Sequence, residues 1–415
     1  MTPGLFEAAV AALTVLLRFD QPADAVLSRV FRDRPRLGGR DRAFIAESCY
    51  GVLRHLRSLE HLAGGRIARR LLLAWLARYG GRNLREFEPL AEDDEIAWLR
   101  EVKSADLSVL PPAVRLELPD WLYERLRALH GDRLEPLVNA LNQPAPLDLR
   151  VNTLRAGREA VYERLLADGI PAEPTPWSPW GLRLKDKPAL SQHPLFAEGV
   201  IEVQDEGSQL ITLLTEARRG EMVCDYCAGA GGKTLALGAM MKNTGRLYAF
   251  DVSDRRLARL KPRLARSGLS NVHPQLIAGE RDSRIKRLAG KFDRVLVDAP
   301  CSGLGTLRRN PDLKWRQTPQ TVAELSVKQR AILAAAAALV KPGGRLIYAT
   351  CSLLPEENEE IVAAFLAERP DYHRLPVGPI LAAQRIDLGM EDVLRLDPAQ
   401  HSTDGFYAAV MQRSG

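Results

Sequence analysis

Two Cys-Ser dipeptides, Cys301-Ser302 and Cys351-Ser352, carry the clearest chemistry in this chain. Each follows a short apolar run, residues 294–297 and 345–348, which reads as a buried parallel strand. Both thiols then emerge at the carboxyl edge of one sheet, where open α/β folds bind ligands. A modest fall in thiol pKa makes thiolate available near neutral pH, so cysteine suits covalent addition at a carbon electrophile. A lone buried cysteine is commonly a small core hydrophobe. The pairing, with Asp298-Ala299-Pro300 before one thiol and Thr350 before the other, points instead to chemistry at a shared pocket.

Upstream, residues 227–234 read Cys-Ala-Gly-Ala-Gly-Gly-Lys-Thr between a predicted strand and a predicted helix. Glycines there let a ligand approach the backbone, and the helix N-terminus favours negative charge. A P-loop requires glycine where Cys227 stands, and a dinucleotide fingerprint requires it where Thr234 stands. What remains is the looser turn used for S-adenosylmethionine, built from Cys227, Ala228, Gly229, Ala230, Gly231, Gly232 and Lys233. Asp251 ends the next predicted strand, where an acid can accept both ribose hydroxyls. Asp225 stands ready to orient the loop or a ligand ammonium. Glu280 and Asp282 both follow the third strand as candidates for an adenine contact; spacing does not separate them, and Asp282 is taken as the candidate. Asp298 ends the fourth strand, between cofactor and thiols.

The elements that must position these residues follow from the apolar pattern. A chain of 415 residues implies two or three domains. Helical spacing over residues 5–17, 44–62, 67–79 and 121–129 predicts an all-helical domain over 1–142. A Pro-rich linker at 142–146 leads into a small α/β module, 143–205. From 206 to 415, predicted strands at 222–227, 247–252, 272–277, 294–297, 345–348 and 406–412 alternate with helices. They predict a doubly wound, largely parallel, Rossmann-like sheet.

Composition bounds the class. Hydrophobic residues make up 46% and charged residues 27%, as in soluble globular proteins, and no apolar run is long enough to span a bilayer. The N-terminus has no basic stretch followed by an apolar core, so a cytoplasmic location is expected. Five cysteines, an odd and sparse set, argue against a disulfide framework, and Cys224-x-x-Cys227 has no second ligand pair, so no metal is expected. The net charge of +6 and isoelectric point near 9.1 suit a polyanionic partner. Arg29, Arg32, Arg34, Arg36, Arg40 and Arg42 crowd the N-terminal region, a plausible phosphate-binding face that, taken alone, is more often a solvated surface.

Taken in series, residues 297–303 (Val-Asp-Ala-Pro-Cys-Ser-Gly), 308–315 (Arg-Arg-Asn-Pro-Asp-Leu-Lys-Trp), 348–352 (Tyr-Ala-Thr-Cys-Ser), Glu356-Glu357-Asn358-Glu359 and Asp404-Gly405-Phe406 resemble the Sun/Nop-type family of RNA cytosine-5 methyltransferases. Residues 150–153 and 204–208 are similar to that family's RNA-binding module and its junction, and the helical N-terminus resembles the NusB-like domain of bacterial members that act on 16S ribosomal RNA. Ala230 departs from the proline of many members, which alters loop stiffness and spares the glycines. The resemblance implies S-adenosylmethionine as cofactor and ribosomal RNA as substrate, with transfer RNA as the nearer alternative. A monomer is expected. It implies Cys351 as the thiolate that adds to cytosine C6, Cys301 as the thiol that assists release, and Asp298 as the group at the N3 edge. DNA cytosine-5 enzymes use a Pro-Cys cysteine as nucleophile, which would promote Cys301. Lys233, Arg308, Arg309 and Lys314 are candidates for contacts to cofactor or RNA phosphates. From other classes, a silent RNA-binding assembly factor is opposed by the intact thiol pair, and a small-molecule methyltransferase by the basic N-terminal region.

Overall fold

The computed structural model describes all 415 residues except Asp93. It divides into two units, one comprising Met1–Pro144 with Thr306–Pro319, the other Ala145–Gly305 with Gln320–Gly415.

The first unit is helical. Thr2 caps the helix Pro3–Leu16, accepting from the Leu5 amide, and Phe6, Ala9, Leu13 and Leu16 form its buried stripe. The single helix expected over 44–62 is two, Gly39–Arg54 and Leu56–Ala63, separated at His55. The break has a tertiary cause, because a Glu117 Oε2 atom accepts from the Arg57 and Ser58 amides at 2.9 and 3.3 Å and so starts a new helix there. Thr306–Pro319, which the sequence division groups with the C-terminal domain, packs into this helical unit. Trp315 Nε1 donates to the Leu53 carbonyl at 2.7 Å, and Lys314 Nζ donates to the Arg54 carbonyl and to Asn142 Oδ1, each at 3.0 Å. Lys314 is fully buried. The expectation that it meets cofactor or RNA phosphates is therefore corrected: its ammonium donates to a helix-end carbonyl and a side-chain amide inside the domain.

The second unit contains two sheets. Strands β1 (Leu147–Val151), β2 (Ala172–Pro174), β3 (Gly181–Leu184) and β4 (Ile201–Val203) form an antiparallel sheet in the order β2-β3-β1-β4. The larger sheet contains β5 (Met222–Asp225), β6 (Arg246–Asp251), β7 (Val272–Leu276), β8 (Phe292–Asp298), β9 (Val340–Thr350), β10 (Tyr372–Leu375) and β12 (Phe406–Arg413) in the order β10-β12-β9-β8-β5-β6-β7, with β11 (Leu394–Leu396) paired to β12. The five strands from β7 to β9 are parallel; β12 runs antiparallel to β9, β10 and β11. The inner parallel strands are apolar on both faces, as Val223, Phe250, Val295, Leu296, Leu346 and Ile347 show by their complete burial, whereas the edge strand β7 is partly exposed. Strand order reverses between β5 and β8, so a crevice opens at their carboxyl ends, the place where such sheets take ligands.

Candidate active site

The glycine turn leaves β5 at Asp225 and enters the helix Gly232–Met240. Gly231 adopts φ 85°, and a Cβ there would lie 2.1 Å from Leu260 Cδ1, so only glycine fits. Gly229 has φ 57° with open space around the missing Cβ. Asp251 fixes the turn to the end of β6: its Oδ2 accepts from the Gly229 amide at 2.8 Å and its Oδ1 from the Ser253 amide at 2.7 Å. The Ala230 carbonyl is held by Arg263 Nη1 at 2.6 Å, which steadies the position where relatives of the resembled family carry proline.

Beneath the turn, Thr234 Oγ1 donates to Asp225 Oδ2 at 2.6 Å while Oδ1 is buried without a hydrogen-bond partner. Burial pushes the Asp225 carboxyl up to about 7. Lys233 Nζ reaches Asp298 Oδ2 at 2.7 Å. Burial alone would lower the Lys233 ammonium, but the Asp298 charge and hydrogen bond outweigh it and hold the group above the usual lysine value.

At the ends of β8 and β9 the two thiols meet, with Cys301 Sγ 3.4 Å from Cys351 Sγ. Their loops are clamped from several sides. Gly305 N donates to the Cys351 carbonyl and Gly405 N to the Gly305 carbonyl, each at 2.8 Å. A Cβ on Gly305 would lie 2.2 Å from the Gly405 carbonyl oxygen, which explains a glycine at this crossing. The hydrogen bond to Cys351 and burial push the Cys301 thiol well above its ordinary range.

A cavity of about 720 Å³ lies over these groups, within the range of sites for small organic ligands. Its wall brings together Cys227, Ala228, Gly229, Ala230, Gly232 and Lys233 from the turn with Asp225, Asp251, Asp298, Cys301 and Cys351. Gly231 is not on the wall; it shapes the turn from behind, against Leu260. Asp282 is not on the wall either. Its carboxylate accepts from the Ala278 and Arg284 amides, each at 2.8 Å, and caps the helix Ser283–Arg287. Glu280 lines the cavity in its place, so of the two candidates Asp282 is a helix cap and Glu280 is the one beside the cavity. Sequence reasoning also missed Gln204 and Ser208 from the β4 junction, and Val252, Ile277, Lys328 and Ile332, which supply apolar and basic wall. Val252 had a local signal, since it directly follows Asp251, and Gln204 and Ser208 lie in the 204–208 segment already singled out as a junction, from which no cavity role was read; Lys328 had none, because only the fold brings it here.

The residues fit an S-adenosylmethionine molecule: an open glycine cradle, an acid at the end of β6 for ribose, apolar side chains beside it, and an orphaned Asp225 oxygen suited to an ammonium. This sheet with this turn defines the class, an S-adenosylmethionine-dependent methyltransferase. The chain belongs to the 16S rRNA methyltransferase RsmB/F family, whose sequence pattern matches residues 212–412; the RsmF/B-like ferredoxin-like domain matches residues 118–191. It is the family to which the Cys-Ser motifs pointed. A probable ribosomal RNA small subunit methyltransferase B from Synechocystis sp. is 33% identical over 436 residues, 96% of each chain. A ribosomal RNA small subunit methyltransferase B from Sodalis glossinidius is 33% identical over 404 residues, 90% of each chain. Among solved structures, PH0851 aligns with a TM-score of 0.81 and 27% identity over 100% of this chain and 99% of its own. A methyltransferase homologue from Pyrococcus horikoshii aligns with a TM-score of 0.63 and 30% identity, covering 73% of this chain and all of its own.

Proposed function

We propose that this rRNA methyltransferase forms 5-methylcytosine in 16S ribosomal RNA through a covalent bond between Cys351 and cytosine C6. The observation that carries the reading is the approach of Cys301 and Cys351 to 3.4 Å on the wall of the cofactor-sized cavity. The names of the curated relatives support the RNA class.

Cytosine C5 is a poor nucleophile. Addition of the Cys351 thiolate to C6 turns the C5–C6 bond into an enamine whose C5 can attack an electrophilic carbon. The bound cofactor supplies that carbon as a sulfonium methyl. Asp298, its carboxylate held by Lys233 Nζ at 2.7 Å, stands to bond the N3 edge of the base and so stabilise the charge that develops as C6 is attacked. Afterwards a general base takes the C5 proton, the electron pair of that C–H bond re-forms the C5–C6 double bond, and the sulfur–C6 bond breaks with its pair on sulfur, freeing Cys351 as thiolate. Cys301 assists this release. A cytosine within a duplex cannot present C6 to one sulfur and C5 to the cofactor, so the target is unpaired or flipped out.

The test is methyl transfer from labelled S-adenosylmethionine to 16S ribosomal RNA and to transfer RNA, followed by bisulfite sequencing. The reading expects one protected cytosine in 16S ribosomal RNA. Label on another base or ring atom refutes the chemistry, and protection confined to transfer RNA refutes the substrate.

A further inference from the structure

The Glu356-Glu357-Asn358-Glu359 motif has no role in the reaction as derived, yet Glu357 lies at the centre of the loop that holds both sulfurs. Its side chain is completely buried, and among the described residues it makes no ion pair. Oε1 accepts from the Ser302 amide at 2.8 Å and from Gln329 Nε2 at 3.0 Å. Oε2 accepts from Ser302 Oγ at 2.5 Å and from Ser352 Oγ. These four donors fill the capacity of a carboxylate. Its backbone carbonyl accepts from Tyr348 Oη at 2.6 Å, which anchors the clamp to β9. Ser302 and Ser352 are the residues that directly follow the two cysteines, and their hydroxyl oxygens lie 3.2 Å apart. Gln329 also donates to the Pro300 carbonyl at 3.0 Å, so the residue before Cys301 is held by the same network.

We infer that Glu357 is a positioning residue, whose single carboxylate clamps the segments after Cys301 and Cys351 together and thereby sets the separation of the two thiols. Removing the carboxylate takes away the acceptor that Ser302 and Ser352 share and leaves the spacing to weaker ties, the Ser302–Ser352 contact and the Gly305–Cys351 backbone bond. Its charge has a second effect, because Glu357 is among the groups that keep Cys301 protonated. A loss of even an ångström in such a constellation costs rate at the chemical step more than it costs binding.

The inference rests on the two-thiol reading for its effect on turnover, but the clamp itself is testable without RNA. Diamide oxidises two nearby thiols to a disulfide and is itself reduced to the hydrazine, and closure is read by mass spectrometry as loss of alkylatable Cys301 and Cys351. In the full chain, Glu357→Ala should close this disulfide about ten-fold more slowly than wild type, with S-adenosylmethionine affinity within about two-fold. Glu357→Gln keeps the size but sets an NH2 against two of the four donors, so closure should slow less than in Glu357→Ala, while the pH midpoint for Cys301 alkylation should fall because the negative charge is gone. In methyl transfer, Glu357→Ala should lower kcat about ten-fold or more with little change in KM for RNA. Closure at the wild-type rate in folded Glu357→Ala overturns the clamp. Should that variant not fold, Ser302→Ala/Ser352→Ala removes the two hydroxyl ties and must slow closure; an unchanged rate there overturns it equally. Slowed closure with unchanged kcat would keep the clamp and sink the two-thiol reaction instead.

Discussion

Lys233 Nζ donates to Asp298 Oδ2 across 2.7 Å, joining the helix that opens after the glycine turn to the strand end that leads into Cys301. Lys233 is buried and Asp298 about one-third exposed, so the pair is worth more than a surface bridge and less than a dry one. Lys233→Met should lower stability by about 1–2 kcal/mol at neutral pH. The folded-state pKa of Lys233 is raised, so the stabilisation is fully present below the ordinary lysine value near ~10.4 and is lost as pH rises through the folded value. Urea melts from pH 7 upward should show a constant gap between wild type and variant that narrows above that point. A gap that widens with pH would contradict the pair.

Asp225 gives the opposite sign. Its folded-state carboxyl titrates near about 7, pushed up by burial. Between the ordinary aspartate value of ~3.9 and that point the folded chain binds more protons than the unfolded one, so stability falls as pH rises through this window. Asp225→Asn should be more stable than wild type above pH 7, by on the order of 2 kcal/mol, and should lose that advantage near pH ~4. The cationic cofactor favours the ionised form. Its binding to wild type should tighten as pH rises through about 7 and stay flat in the variant, as calorimetry at several pH values would show.

The parts of the site that were legible in sequence obey local rules. Gly229 and Gly231 signal a turn because backbone geometry demands it, and Cys301 and Cys351 follow apolar runs short enough to read as strands. Strands β10 and β11 were missed because Tyr372–Leu375 and Leu394–Leu396 are short and stabilised by pairing with β12, outside their own sequence. The antiparallel sense of β12 is likewise set by what it pairs with. Glu117 breaks a helix far upstream of itself, and no periodicity announces that. Glu280 and Asp282 differ only in which one the next helix recruits as its cap.

Gly231 and Gly229 should fail differently. Alanine at Gly231 meets both an unfavourable φ of 85° and Leu260 at 2.1 Å, and should cost about 2–4 kcal/mol. Alanine at Gly229 meets no protein atom within 4 Å and should cost about 1 kcal/mol. Its methyl group intrudes on a wall of the cofactor cavity, however, so the loss should appear in S-adenosylmethionine affinity. Thermal melts and cofactor titrations on both variants separate the two effects; equal loss of stability would refute the assignment of Gly231 to the turn and Gly229 to the cradle.

The thiols should separate by what accumulates. Cys351→Ala should abolish turnover with little change in cofactor binding, because no bond to C6 can form. Cys301→Ala should allow the bond to form and hinder its release, so a protein–RNA adduct should survive a denaturing gel. If Cys351→Ala accumulates the adduct instead, the two roles are exchanged.

Lys314 distinguishes a structural cation from an RNA contact. Burial lowers its ammonium, with Glu117 pulling in the other direction, and burial raises the Glu117 carboxyl. Glu117 is held at φ 57° and carries the amides of Arg57 and Ser58, so its position is fixed by the helix it starts. Lys314→Met removes the counter-charge and leaves the Arg54 carbonyl and Asn142 without their donor. Glu117 can respond by taking up a proton at neutral pH, which limits the cost to about 1–3 kcal/mol. The RNA measurement decides the matter. A lysine that neutralises a phosphate contributes about 0.7–0.9 to the slope of log affinity against log salt, whereas a buried one contributes nothing. Lys314→Met should therefore lower the melting temperature and leave the salt dependence of RNA binding unchanged; a slope reduced by that amount would return Lys314 to the RNA surface.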